Sequence, residues 1–297
     1  RLDAFSPHSR KIHVDIDPSS INKNVRVDLG IVGDARAVIE ALVAEWRRRE
    51  AGEPHDKDRL DAWWKQIDAW RAKKSFAYRR SETAIKPQHA IERLYALTRG
   101  REVFVTTEVG QHQMWAAQHF HFDQPNRWMT SGGLGTMGYG LPAALGVQAA
   151  HPDALVIDIA GDASVQMTMQ EMSTAVQHDL PVKIFILNNA YLGMVRQWQE
   201  LLHGGRYSHS YSDSLPDFVR LAEAYGCVGL RAEKPAELDD KIAEMIAVKR
   251  PVLFDCVVTQ EENVFPMIPS GAAHNEMLFG DHVVTGDEID ERGKTLV

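Results

Sequence analysis

The 297-residue chain contains only two cysteines, Cys227 and Cys256, too few for a disulfide framework. This scarcity favours a reduced, intracellular compartment. Basic residues are also in short supply, since 33 Lys and Arg face 41 Asp and Glu and give a formal net charge of −8. A nucleic-acid partner is not expected, because no basic excess is present to neutralise phosphates. No run of about 18 apolar residues occurs, so the sequence predicts no membrane span.

The first residues lack the usual features of a complete protein start. The sequence opens Arg-Leu-Asp-Ala-Phe, with no methionine and no signal- or transit-peptide pattern. We therefore expect a chain that begins inside a domain, as a fragment or as one piece of a split polypeptide.

The N-terminal third predicts two small parts. Residues 1–45 resemble the end of an α/β domain, with strands at Lys11–Asp17 and Leu29–Val32 and a helix over Ala35–Trp46. Residues 46–84 are strongly charged and predict a helical linker docked on the next domain. Its packing face would be an apolar stripe at helical spacing, formed by Leu60, Trp63, Trp64, Ile67 and Trp70.

Residues 85–259 predict the main domain, and residues 260–297 an acidic, irregular C-terminal arm. Within the main domain, β-branched apolar segments alternate with helical ones. The predicted strands are Val103–Thr107, Leu155–Ile159, Val182–Leu187, Val228–Leu230 and Val252–Val258; the predicted helices are Pro87–Thr98, Gly140–Ala150, Thr168–His178, Tyr191–Leu202, Pro216–Tyr225 and Glu237–Val248. This alternation indicates an α/β fold with a doubly wound parallel sheet. Ligands in such sheets bind at the carboxyl ends of the strands, at a topological switch point.

Three segments follow predicted strands at positions where ligands are expected. They are residues 108–112, residues 161–164 and residues 188–193. Gly161 would let the backbone approach a phosphate, and Asp162 would offer a hard carboxylate oxygen beside it. One helix and one strand later, Asn189 offers an amide oxygen, 27 positions from Asp162. With a backbone carbonyl, phosphate oxygens and water, these ligands would complete an octahedron around Mg²⁺.

Simpler interpretations remain open for each fragment. Gly-Asp after a strand is a common turn, and Asn-Asn a common loop. Met137 and Met194 could be core residues, and Trp198 a packing tryptophan. His119 and His121 form a His-x-His pair, but no third soft ligand follows at a useful spacing.

The combination of motifs resembles a known family. Gly-Asp followed by Asn-Asn is the signature of thiamine diphosphate enzymes, although Ala163 stands where many members have glycine. The chain resembles the catalytic subunit of acetohydroxyacid (acetolactate) synthase in four segments of the main domain: GQHQMWAAQ, TSGGLGTMGYGLPAA, GDASVQMTMQEMSTAVQ and ILNNAYLGMVRQWQELLHGGRYSHSY. The segment KIHVDIDPSSINKN near the start is similar as well. The resemblance implies a transferase that condenses pyruvate with pyruvate or 2-ketobutyrate, the first common step of branched-chain amino-acid biosynthesis.

The resemblance also implies roles for individual residues. Thiamine diphosphate would be held through residues in three loops: Val109, Gly110, Gln111, His112, Gly161, Ala163, Ser164, Gly193 and Met194. Mg²⁺ would be bound by Asp162, Asn189 and the main-chain carbonyl of Tyr191. Met137 would wedge beneath the bent cofactor, and Gly135 and Met137 would contact its aminopyrimidine. Trp198 would line the pocket for the acceptor 2-keto acid. Asp15, Ile16, Asp34 and Ala35 resemble the last pieces of a flavin adenine dinucleotide (FAD) site.

The same family implies parts that this sequence does not match. A catalytic glutamate would come from a pyrimidine-binding domain, in another chain or in a missing N-terminal part. Most of the flavin domain is also unmatched. A homo-oligomer and a regulatory small subunit are expected partners. Two alternatives stay open: another thiamine diphosphate decarboxylase or carboligase, and a non-catalytic cofactor-binding half that needs a partner chain.

Overall fold

The computed structural model describes residues 1–52 and 56–280. Two compact units divide the chain. Among the described residues, the smaller comprises Arg1–Ala77 and residues 265–280, and the larger comprises Tyr78–Val264. No helix in the described ranges combines the length and the apolar composition that crossing a bilayer requires.

The smaller unit contains two short parallel strands and two helices. Strands β1 (Ile12–Asp15) and β2 (Leu29–Val32) pair with Asp15 opposite Val32. Helix α1 spans Ala35–Glu50, and the Asp34 carboxylate caps it by accepting from the Ala37 N–H at 3.1 Å. Helix α2 spans Lys57–Arg71.

The tryptophan stripe on α2 is more exposed than a buried packing face would be. Leu60, Trp63, Trp64 and Trp70 are 40 to 47% exposed. Trp63 and Trp70 contact each other edge to face, with ring centroids 5.5 Å apart. These four side chains are exposed within the described residues, and Ile67, the fifth member of the stripe, is half-buried. The docking of this helix on the next domain stays a prediction. The part of the predicted C-terminal arm beyond residue 280 lies outside the described residues.

The larger unit is built around a six-stranded sheet. Its strands are β3 (Val103–Thr107), β4 (Trp128–Thr130), β5 (Leu155–Gly161), β6 (Lys183–Asn188), β7 (Val228–Ala232) and β8 (Val252–Val257). They lie in the order β4-β3-β5-β6-β8-β7, and every neighbouring pair is parallel. The chain moves outward from β3 to β4 and then returns to the other side of β3. The topological switch point therefore lies between β3 and β5.

Helices cover both faces of this sheet, which confirms the doubly wound α/β prediction. They are α3 (Pro87–Thr98), α4 (Gln111–His119), α5 (Gly140–Ala150), α6 (Glu171–Gln177), α7 (Gly193–Leu202), α8 (Phe218–Tyr225) and α9 (Pro235–Ala247). One buried cluster joins α3, α4 and α9 to one face, and the other joins α5, α6 and α8 to the opposite face. Along β5, Ile157 and Ile159 point to the first cluster and Val156 and Ala160 to the second. This is the period-two alternation of a sheet buried on both sides.

Helix α4 and strand β4 are absent from the sequence prediction. Three of the five buried residues of α4 are polar, namely Gln111, His112 and His119, so the helix shows no continuous apolar period in the sequence. Strand β4 has only three residues, all partly exposed, at the edge of the sheet. Helix α7 begins at Gly193 and not at Tyr191, because Tyr191 forms an antiparallel bridge with Tyr211 and the Leu192 N–H donates to the Ser210 carbonyl.

Candidate functional site

Three loops meet at the carboxyl edge of the large sheet. Strands β3, β5 and β6 are neighbours, and the residues that follow them line one cavity of about 80 Å³. The cavity therefore lies at the switch point, where a doubly wound sheet binds its ligand. Complete small-molecule pockets measure roughly 300–1,000 Å³. The cavity has the size for one end of a large cofactor.

Most residues singled out from the sequence line this cavity. They are Val109, Gly110, Gln111, His112, Met137, Gly161, Asp162, Ala163, Ser164, Asn189, Tyr191, Gly193 and Met194. Trp115, Leu187, Leu192 and Val195 complete the lining and escape the sequence analysis. Trp115 lies one turn of α4 after Gln111, so recognising the helix is the signal that would have found it.

Gly135 and Trp198 lie outside the cavity lining. A Cβ placed on Gly135 would come within 3.8 Å of the Val109 side chain, so Gly135 belongs to the neighbouring loop. Trp198 is 43% exposed on α7. It shares an exposed apolar face of that helix with Val195 and Leu202, at 46% and 37% exposure. Its role in an acceptor pocket stays a prediction.

The four residues predicted for a flavin site lie in the smaller unit. Asp15 and Ile16 end and follow β1, and Asp34 and Ala35 follow β2 and begin α1. Because β1 and β2 are parallel and in register, these residues share one carboxyl edge. The Ile16 side chain is 74% exposed.

Asp162 is the one buried acid among the predicted metal ligands. It is 1% exposed, and its Oδ1 accepts from the Ala163 N–H at 2.7 Å. Its Oδ2 is buried without a hydrogen-bond partner. Burial raises the pKa of Asp162 to about 6, against the opposing effect of the N–H groups of Ala163 and Ala190. A buried carboxylate oxygen without a partner is costly unless a ligand reaches it. The environment of Asp162 therefore fits a cation bound to its Oδ2.

The turn after β6 presents the other two predicted metal ligands. The Asn189 Oδ1 accepts from the Tyr191 N–H at 3.1 Å and keeps a second lone pair. The left-handed Ala190 between them reverses the backbone. Within the described residues, no three His, Cys, Asp or Glu side chains cluster as metal ligands. Any hard cation here would therefore depend on Asp162 together with amide and carbonyl oxygens, as Mg²⁺ sites allow.

Two glycines make the cavity possible by close approach. A Cβ on Gly193 would lie 2.1 Å from the Gln111 Oε1 and 2.9 Å from the Asn189 Nδ2. A Cβ on Gly161 would lie 2.7 Å from the His112 Nδ1. The start of α7 and the end of β5 therefore have room only for hydrogen at these positions. Such a cradle exposes backbone N–H groups to an anion.

The Gln111 side chain is fully engaged inside the protein. Its Nε2 donates to the Gln197 Oε1 at 2.9 Å and to the Glu262 carbonyl at 3.0 Å. Its Oε1 accepts from the Asn189 Nδ2 at 3.3 Å, so it orients the amide of that residue. The side chain therefore supports the predicted metal ligand, and the N–H groups at the start of α4, which lack partners within the helix, can donate to an anion.

His112 is a neutral side chain in this cavity. It is 7% exposed, and burial lowers its pKa to about 3. Its Nε2 lies 3.5 Å from the Ser164 Oγ. Ser164 in turn closes the turn after β5, since its Oγ accepts from the Gly161 N–H at 3.0 Å. A neutral imidazole offers one donor and one acceptor, which suits a phosphate and its neighbouring hydroxyl.

Glu108 is the first residue of the segment 108–112, and the sequence predicts no role for it. It is fully buried after β3, and its carboxylate accepts from the N–H groups of Gly138 and Leu141. These N–H groups belong to the segment that carries Met137. The available signal was an acid directly following a buried strand.

Comparison with known proteins identifies the class of protein to which this fold and cavity belong. The family model described as "Thiamine pyrophosphate enzyme, C-terminal TPP binding domain" matches residues 108–256, just over half of the chain. The corresponding central-domain model matches residues 1–42. The chain therefore belongs to the thiamine pyrophosphate enzyme family, and its larger unit contains the domain that binds this cofactor.

Particular relatives are acetolactate synthases. The chain is 48% identical to the acetolactate synthase large subunit of Haemophilus influenzae over 278 residues, which is 93% of this chain and 48% of the relative. It is 49% identical to the isozyme 3 large subunit of Escherichia coli, with coverage of 93% and 48%. It is 42% identical to the mitochondrial catalytic subunit of Saccharomyces cerevisiae, with coverage of 99% and 43%. The chain spans just under half the length of these curated relatives.

Proposed function

We propose that this chain is the diphosphate- and magnesium-binding part of an acetolactate/acetohydroxybutyrate synthase. Such a transferase decarboxylates pyruvate and joins the remaining two carbons to a second 2-keto acid, pyruvate or 2-ketobutyrate. The similarity to acetolactate synthase large subunits over 93% of the chain supports this activity. The products would enter branched-chain amino-acid biosynthesis.

The observation that carries the proposal is the buried, partnerless Oδ2 of Asp162 in a glycine-built cavity. Asp162, Asn189 and the Tyr191 carbonyl would hold Mg²⁺, and the metal would neutralise the diphosphate. The backbone at Gly193 and at the start of α4 would donate to phosphate oxygens, and Gly161 would allow the diphosphate to come close to the end of β5. Thiamine diphosphate, when bound, supplies the electron sink for decarboxylation of a 2-keto acid.

The chain's own groups would bind and orient the cofactor. Neutral His112 and Ser164 would contact the phosphate end without bringing a charge. Met137, which lines the cavity, would support the cofactor from below. Trp198 would lie beyond this end and face the acceptor.

The remaining parts of the proposal concern partners. A pyrimidine-binding domain with a glutamate would contact the other end of the cofactor, which is consistent with a cavity of about 80 Å³, small beside complete small-molecule pockets. Asp15, Ile16, Asp34 and Ala35 would contribute one edge of an FAD site. We further propose a homo-oligomer with a regulatory small subunit, as the large-subunit names of the relatives imply.

The test combines the chain with the domain it is proposed to need. The 297-residue chain is assayed with thiamine diphosphate, Mg²⁺, FAD and pyruvate, alone and with a polypeptide carrying a pyrimidine-binding domain. We expect no measurable acetolactate from the chain alone and turnover on reconstitution. General acid–base assistance alone contributes about 10²–10⁴-fold, and orientation is lost with it.

The products distinguish the alternatives. Acetaldehyde in place of acetolactate would identify a decarboxylase. Mg²⁺-dependent binding of thiamine diphosphate without turnover in any combination would identify a non-catalytic module. Full turnover by the chain alone would overturn the need for a partner domain.

A further inference from the structure

Two buried carboxyl groups lie beneath the loop that carries Met137, and the reaction described above uses neither. Glu108 and Asp158 are both 0% exposed. Among the described residues, neither forms a salt bridge with a lysine, arginine or histidine. Buried acids without a cation must be neutral or compensated by hydrogen bonds.

Glu108 is compensated by the backbone of one segment. Its carboxylate accepts from the Gly138 N–H and, at 3.1 Å, from the Leu141 N–H. These donors lie at the start of α5, where N–H groups lack partners within the helix and favour negative charge. Met137, directly before them, lines the cofactor cavity.

Asp158 lies in the middle of β5 on the face that packs against α5. Its neighbours two residues away on that face, Val156 and Ala160, belong to the apolar cluster there. Its Oδ1 accepts from the Thr106 Oγ1 at 3.2 Å, and its Oδ2 has no hydrogen-bond partner. A Cβ on Gly140 would come within 2.1 Å of the Asp158 Oδ1 and 2.7 Å of the Glu108 backbone nitrogen. The start of α5 is thus pressed directly onto both acids.

The two acids differ in what opposes their burial. Burial raises the pKa of Glu108, but the N–H groups from Gly138 to Leu141 act against the rise. Burial raises the pKa of Asp158 well above its usual range, and the charge of Glu108 raises it further. Among the described residues, the hydrogen bonds to the two carboxyl groups also differ: Glu108 accepts from two backbone N–H groups, whereas Asp158 accepts from the Thr106 hydroxyl. A single proton held by the pair therefore belongs on Asp158.

We propose that Glu108 is a positioning residue that holds, as a carboxylate, the Met137 loop against the cofactor cavity, and that Asp158 remains a neutral acid beside it. The loop's orientation toward thiamine diphosphate rests on the proposed function. The charge arrangement does not, because every contact lies within this chain. The arrangement makes two similar buried acids unequal: the charge of Glu108 is needed, whereas the charge of Asp158 is excluded.

The test compares Glu108→Gln with Asp158→Asn in the complete enzyme as the organism makes it. Glutamine has one acceptor oxygen and turns an amide NH₂ toward a backbone donor, so it cannot bind both N–H groups. Asparagine resembles a neutral aspartic acid in size and charge. Hydrogen exchange of residues 136–141 should accelerate about tenfold or more in Glu108→Gln and change less than about twofold in Asp158→Asn. The dissociation constant of thiamine diphosphate should rise in parallel, by about tenfold, in Glu108→Gln only.

Infrared spectroscopy gives a readout that a purely structural role would not move. The carbonyl stretch of a protonated carboxyl group should be present at neutral pH, persist in Glu108→Gln and disappear in Asp158→Asn. Loss of the band in Glu108→Gln, or equal loop exchange in the two variants, would overturn the proposal. If Glu108→Gln does not fold, Asp158→Asn still tests the proposal, because it should lose the carboxyl band of the wild type and keep the wild-type exchange rate of residues 136–141. A failure of the wild-type enzyme to bind thiamine diphosphate would refute the proposed function and leave the exchange and infrared results intact.

Discussion

The two edges of the large sheet differ in whether the protein supplies hydrogen-bond partners to a buried ionisable side chain. At the carboxyl edge, Asp162 is 1% exposed and its Oδ2 has no partner. At the amino edge, Lys183 is 2% exposed, but its Nζ donates to the Val248 carbonyl at 2.7 Å and the Arg250 carbonyl at 2.9 Å. Burial shifts both pKa values toward the neutral form, to about 6 for Asp162 and about 8 for Lys183.

This difference marks a ligand site only together with the cavity at Asp162, since Asp158 also has a buried Oδ2 without a partner but does not line that cavity. Burial alone is nearly equal at the two residues, so it does not mark function. What differs is whether the protein itself satisfies the polar atom. Lys183 has its acceptors within the fold, whereas Asp162 lacks a partner for one oxygen, in a cavity bounded by backbone N–H groups.

Asp162→Ala should abolish Mg²⁺-dependent binding of thiamine diphosphate, because it removes the only carboxylate of the proposed ligand set. The same change should leave the thermal stability of the ligand-free protein equal or higher, since a partnerless buried carboxylate is lost. Calorimetry with and without Mg²⁺ and thermal unfolding measure both effects. Asp162→Asn is the matched control: it keeps an acceptor for the Ala163 N–H but lacks the charge. Wild-type affinity in Asp162→Ala would place the metal elsewhere.

Gly193→Ala should weaken cofactor binding by about tenfold or more, because its methyl group would lie 2.1 Å from the Gln111 Oε1 and displace the Asn189 amide. Gly146→Ala is the control. It lies within α5 with no heavy atom within 4 Å of the added Cβ, and it should stabilise that helix by about 1 kcal/mol. Titration of thiamine diphosphate and thermal unfolding compare the two. Equal behaviour of the variants would show that the Gln111 and Asn189 side chains move without cost.

Trp198→Leu should preserve self-condensation of pyruvate and erode the preference for 2-ketobutyrate. Recognition of one methylene in an apolar pocket is worth about 1–3 kcal/mol, so the product ratio should change by about tenfold. Competition between the two acceptors in the complete enzyme measures the ratio. Trp63→Leu, at 45% exposure against 43% for Trp198, controls for loss of an exposed tryptophan. An unaltered ratio in Trp198→Leu would remove this residue from the acceptor pocket.

The sequence predicts where on the sheet a ligand binds, but it does not predict which contacts hold the binding residues in place. Asp162 and Asn189 were predictable, because each follows a buried strand and carboxyl ends of parallel strands converge. The support for Asn189 was not, since Gln111 contacts it from 78 positions away and is fixed by Gln197 and Glu262. Glu108 was overlooked as a functional residue because its partners are backbone N–H groups 30 or more positions later. Such contacts depend on how closely α5 packs against the sheet, which no local pattern records.

The pH dependence of stability that Lys183 contributes is the smallest expected effect, and it tests how the amino edge of the sheet accommodates a buried charge. Its pKa in the folded chain is about 8, below the usual 10.5, because burial disfavours the ammonium form and Lys249 adds to the effect. Between these values the unfolded state binds more protons than the folded state, so the stability contributed by this group rises with pH. From pH 7 to pH 9 the rise should be about 1 kcal/mol.

Lys183→Met should lack this rise and be less stable at every pH, because two carbonyls lose their donor. Lys65→Met, on the exposed surface of α2, should retain the rise. Urea unfolding across this pH range separates the variants. Parallel pH profiles for wild type and Lys183→Met would mean that Lys183 keeps its charge at ordinary pKa, and the contrast between the two edges would lose its electrostatic basis.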